Sequence, residues 1–142
     1  MAKKNESNEW SLALLRVVLG VIFLYHGYFK LFVTGGFTGT VGFFQAIGIP
    51  APIFSALVVS VVEFVGGALL ILGLLTRWAS VVLFIEMLVA FFKVHWQQGF
   101  FISQTAYGYE FVLLILACLV VMAASGAGKW SVGSWFKNRH LQ

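Results

Sequence analysis

Four apolar stretches dominate the chain, over residues 10–33, 51–75, 78–96 and 109–125, and within each the apolar positions are continuous rather than alternating. Half-buried strands would show period-two alternation. Runs of about 20 apolar residues match the roughly 30 Å hydrocarbon core of a bilayer. Backbone groups in lipid must bond within their own segment, so each run is predicted to be a transmembrane helix. Only Thr76 and Arg77 separate the second run from the third, which makes those helices antiparallel neighbours. The first connection, TGGFTGTVG at 34–42, is glycine-rich and reads as a turn. The FFQAIGIPAP stretch that follows sets Phe43, Phe44 and Ile47 on one face, and Pro50 and Pro52 then stop it and open the second span. Residues 43–49 are expected to form a short helix at the membrane surface or over the bundle mouth, with an ordinary apolar loop as the plain alternative. Residues 97–108 form a polar, aromatic connection without formal charge. The predicted fold is all-α: one membrane domain over 1–142, a polytopic four-helix bundle with a short interfacial helix and a tail at 126–142.

Composition strengthens this picture. Apolar residues make up 61% of the 142 and charged residues 10%, where a soluble domain carries roughly 25% charged; mean hydropathy is +0.96. A soluble globule, a disordered tail and a nucleic-acid-binding module are excluded. The net charge of +4 acquires meaning from its placement. Lys3, Lys4, Arg77, Lys129, Lys137 and Arg139 all fall on one side, in both tails and the short turn. By the positive-inside rule both termini are expected in the cytoplasm, with the chain in the plasma (inner) membrane. Trp10, Trp78, Trp130 and Trp135 on that side, and Trp96 on the other, suit interfacial belts. The single Cys118 rules out an intrachain disulfide and CxxC chemistry. No cleavable signal peptide is evident at the polar N-terminus.

Ionisable side chains within the spans carry the candidate chemistry, because a charge at the centre of a membrane helix costs about 2.5–3.5 kcal/mol. Glu63 and Glu86 lie near the middle of neighbouring spans and should point inward, towards a cation or a shared proton. His26 and Lys30, four residues apart, are expected on one face of the first helix. Arg16, Gly20, Phe23, Gly27 and Lys30 form one stripe, whose glycines permit close helix approach. Lys93, His95 and Glu110 fall at the outer rim, above a floor of Glu63 and Glu86. Each has a plainer reading. The lysines can snorkel, His95 can be an interfacial ring beside Trp96, Glu110 can serve a helix N-terminus, Arg16 can pair structurally, and the whole network can be architectural. The expected site has His26, Glu63 and Glu86 as catalytic groups and Arg16, Lys30, Lys93, His95 and Glu110 as ligand-binding groups. No metal site is expected. The Glu-x-x-His pairs of a di-iron bundle are absent, no phosphate loop or Ser/His/Asp set occurs, and haem ligation would have only His26 and His95, of doubtful facing.

Several segments together resemble the DoxX family of small membrane proteins: RVVLGVIFLYHGYFKLF at 16–32, FFQAIGIPAP at 43–52, VVEFVGGALLILGLLTRWAS at 61–80, FKVHWQQGFF at 92–101 and YGYEFVLLILA at 107–117. The resemblance spans nearly the whole chain. It implies a four-helix membrane bundle and an association with redox work: a subunit linked to quinol oxidation, or an anchor for oxidoreductases handling thiols and oxidative stress. It carries over Arg16, His26, Lys30, Glu63, Arg77, Glu86, His95 and Glu110. The favoured expectation is a membrane redox subunit that binds quinone or another small molecule in a polar cavity, with no covalent cofactor and with electrons supplied by a substrate or a redox partner protein. The alternative is a non-catalytic anchor, assembly chaperone or small-solute transporter. The lipid bilayer is the certain partner, and glycine-lined faces favour a homo-oligomer.

Overall fold

With no water to satisfy them, the N–H and C=O groups of the apolar runs close into helices, and helices make up the architecture. The computed structural model describes residues 2–103 and 106–135. Its elements are α1 (Ala2–Phe32), α2 (Gly36–Ala46), α3 (Pro52–Leu72), α4 (Thr76–Ala90), α5 (Glu110–Ser125) and the short α6 (Val132–Trp135). A π-helical turn, Phe91–His95, and a 3-10 turn, Trp96–Gln98, extend α4. Three helical stretches are long and apolar enough to cross a membrane: Asn8–Phe32, Pro52–Leu72 and Thr76–Gln98. At 1.5 Å per residue the shortest spans about 31 Å. α5 is apolar but shorter, with 16 residues. Lys137 and Arg139, part of the expected basic tail, lie outside the described residues.

The buried core draws on four helices. Leu19 and Phe23 of α1, Leu70 of α3, Ala79 and Leu83 of α4, and Ile115, Leu119 and Met122 of α5 form one cluster. α1 lies closest to α3. A side chain at Gly27 would strike the backbone of Phe64, and one at Gly67 would strike that of Leu24, so absent side chains bring these two backbones together. α3 and α4 run antiparallel through a tight turn. Gly73 closes α3 in the left-handed region (φ 69°) and Leu75 precedes α4 with φ 48°. Leu75 is a branched residue in a region that non-glycine residues rarely occupy, which fits the brevity of this turn. About two helix turns deeper, Gly66 faces Leu83.

The first connection differs from its sequence reading. Residues 36–42 were expected as a turn, yet they are helical, and α2 ends at Ala46 rather than continuing to Ile49. Gly36 sits against the Phe29 carbonyl, where a Cβ would collide, and the Thr38 and Thr40 hydroxyls donate to the Gly35 and Gly36 carbonyls. Close backbone approach outweighs glycine's low helix propensity here.

Candidate functional site

α3 buries Ser60, Glu63, Gly66, Gly67 and Leu70 at helical spacing, so Glu63 faces inward for the same reason that Leu70 does. Its carboxylate is met from α1. Lys30 Nζ donates to both oxygens, at 2.6 and 2.5 Å. Lys30 can reach it because Gly27, one turn earlier, lets α1 settle on Phe64. From α4, Glu86 completes the group: its carboxyl lies within reach of the Glu63 side chain and of the Lys30 charge. Glu86 Oε2 is buried and has no hydrogen-bond partner. Three helices thus place one ammonium and two carboxyls in a single layer. With all three ionised the set carries one surplus negative charge, and a single added proton makes it neutral. A proton held here bridges the Glu86 and Glu63 carboxyls; without it, Glu86 Oε2 has no protein donor.

The other expected site residues lie elsewhere. His26 is exposed on α1. It sits 100° round the helix from Gly27, the centre of the contact with α3, whereas Lys30 is only 60° away and has a long stem with which to bend inward. Arg16 is buried near the middle of α1, level with Gly73 at the end of α3. Fourteen residues separate it from Lys30, about 21 Å of helix. Lys93 is exposed on the π-helical turn. His95 Nδ1 lies 2.6 Å from the Tyr107 carbonyl; that oxygen only accepts, so Nδ1 carries a proton and donates it. Glu110 Oε1 accepts from the Ile102 N–H at 2.8 Å. His95 and Glu110 therefore organise the connection between α4 and α5, helped by Gln98, whose Oε1 accepts from the Tyr107 N–H at 2.6 Å. Trp96 and Tyr109 stack there with ring centroids 5.5 Å apart.

Two open depressions on α3 and on the α3–α4 face both lie off the Lys30–Glu63–Glu86 layer. One of about 400 Å³ surrounds Pro52 and Phe54 at the start of α3. The other, about 280 Å³, is an apolar groove between α3 and α4 lined by Val61, Val65, Leu69, Trp78 and Val82. Among the described residues, no three His, Cys, Asp or Glu side chains gather as a metal site.

The sequence matches the DoxX family over residues 11–96. The chain belongs to the DoxX family. It is 34% identical to a Bacillus subtilis (strain 168) protein named "Putative oxidoreductase CatD", over 87% of this chain and 84% of that one. It is 37% identical to the "Uncharacterized membrane protein Rv3486" of Mycobacterium tuberculosis, over 86% of this chain and 78% of that one. An uncharacterized protein of Haemophilus influenzae is also 37% identical, over 88% and 90% of the two chains. No solved structure matches. Some contacts of this DoxX chain escape sequence reasoning. The Trp130 carbonyl takes Arg16 Nη2 at 2.7 Å, and Glu9 Oε2 takes the Lys129 N–H at 2.6 Å. Both join a side chain to backbone more than a hundred residues away, for which residue identity gives no signal. Gly73 could have been suspected, as a glycine just past a helix end.

Proposed function

We infer that this DoxX protein is the membrane subunit of a redox system, and that Lys30, Glu63 and Glu86 exchange protons and hydrogen bonds with a quinone-class headgroup. The observation that carries this reading is the buried Glu86 Oε2, unpartnered beside a closed Lys30–Glu63 pair. A quinone carbonyl needs a donor and its quinol needs a proton acceptor. A carboxyl group held beside a second carboxyl and an ammonium can fill either part as its proton comes and goes. The apolar groove between α3 and α4 would take the headgroup's lipid-soluble tail. In this reading the electrons come from a substrate or a partner protein. The relative named as an oxidoreductase supports the same reading. In this account α1, α3, α4 and α5 form a four-span bundle in the inner membrane, α2 lies at the interface and both termini are cytoplasmic.

The test is gentle extraction of the full chain followed by mass spectrometry of its bound lipids. Quinone should co-purify with the wild type at near one per chain and be depleted in Glu86→Gln. Equal quinone in the two, or none in the wild type, overturns the reading. A second reading, a non-catalytic anchor, chaperone or transporter, draws support from the Lys30–Glu63 pair itself, which ties α1 to α3 with both carboxylate oxygens engaged. It expects Glu63→Gln to weaken the fold or its complexes and Glu86→Gln to leave every redox rate unchanged.

A further inference from the structure

Among the described residues, the buried side-chain atoms without a hydrogen-bond partner are Arg16 Nε and Nη1, Thr76 Oγ1, Ser80 Oγ and Glu86 Oε2. The last belongs to the carboxyl layer. The other four belong to the opposite end of the bundle, where the two ends of the described chain meet. Arg16 is 3% exposed and presses against Gly73 and Ser131, where a Cβ on Gly73 would overlap its Nη1. A guanidinium has five N–H donors. Nη2 reaches the Trp130 carbonyl, and the three donors on Nε and Nη1 reach nothing. Glu9, the nearby acid, spends its Oε2 on the Lys129 N–H instead, and the ion pair described in the chain is that of Lys30 with Glu63. The C-terminal end of α3 beside Gly73 offers a partial negative charge but takes none of the free donors. A buried cation with unmade hydrogen bonds is costly, and the cost falls sharply if an anion completes it.

We propose that Arg16 is an oxyanion site that holds one phosphate-class group, from a lipid headgroup or from free phosphate, on its Nε/Nη2 edge. The Trp130 carbonyl oxygen marks where an acceptor already meets this guanidinium. Residues 126–131 lie over it as a strap, fastened by the Trp10–Trp130 ring stack, by Glu9 and by Arg16 itself. The oxyanion takes the carbonyl's place on Nη2 as the strap lifts, and it gains the Nε donor that the carbonyl leaves unused. Thr76, fully buried in the first turn of α4, brings a hydroxyl to the same end. Exposed Arg77 and Lys129 nearby favour an anion over a cation. The site lies about 21 Å of helix from Lys30, so it stands or falls independently of the quinone reading.

The full chain, purified in neutral detergent, is titrated with phosphatidylglycerol, phosphatidylcholine or inorganic phosphate while its thermal midpoint is followed. Phosphatidylglycerol raises the midpoint saturably and phosphatidylcholine does not. A rise with phosphatidylglycerol alone assigns the site to a lipid phosphodiester; a rise with inorganic phosphate as well assigns it to the free anion. Arg16→Met removes the buried charge, and the apparent affinity falls at least tenfold. Should Arg16→Met not fold, Arg16→Lys keeps the charge but not the planar donors, and its affinity falls about tenfold. No anion-dependent rise in the wild type, or an unchanged affinity in the folded variant, overturns the proposal.

Discussion

Lys30 of α1 gives two hydrogen bonds to Glu63 of α3, so that a 33-residue separation in sequence closes into one ion pair between neighbouring helices. The carboxylate is the more deeply buried partner, 7% exposed against 19% for the lysine side chain. Removing one member of such a pair strands the other. Glu63→Gln should therefore destabilise the protein by about 3 kcal/mol. The double variant Lys30→Met/Glu63→Leu should recover most of that loss, because apolar replacement of a whole buried pair is often neutral. Chemical denaturation in mixed micelles measures both.

Glu86 should behave in the opposite way. Glu86→Gln removes the surplus negative charge and keeps the shape, so stability should stay within about 1 kcal/mol of wild type or rise. Quinone-dependent turnover in native membranes should nevertheless fall at least tenfold. A folded variant with unimpaired turnover would take Glu86 out of the chemistry.

The α1–α3 seam makes a steric prediction. Gly67→Leu or Gly27→Val drives a side chain into the opposing backbone, and overpacking of this kind costs typically 1–3 kcal/mol or more. Both variants should lower the thermal midpoint in detergent markedly. Gly39→Ala, where no atom lies within 4 Å, should leave it unchanged or raise it slightly.

His95→Ala removes the side-chain bond to the Tyr107 carbonyl without touching the main core cluster. The expected effect is local. Limited proteolysis should cut between residues 99 and 108 faster than in wild type, while global stability drops by no more than about 1 kcal/mol.

The spans were legible in the sequence because a bilayer imposes one simple demand, about 20 apolar residues in a row, and 52–72 and 76–98 answer it openly. Glu63 and Glu86 were legible for the converse reason: charges in such runs must find company. Rotation about a helix axis was harder to read. His26 and Lys30 differ by only 40°, yet that angle, together with side-chain length, leaves one exposed and bends the other inward. α2 was misplaced because glycine weakens helices in isolation, while Gly36 is held by its fit against Phe29. Between α4 and α5, His95 and Glu110 bond to backbone groups of a connection whose course no pattern of residue types records.

The location of Lys30's counter-charge bears on biosynthesis. Glu63 emerges from the ribosome well after α1 has entered the membrane, so the newly inserted first helix carries an unmatched ammonium until α3 arrives. A nascent chain truncated before residue 63 should therefore be cleared from the membrane faster than the full chain, which pulse-chase of the two would show.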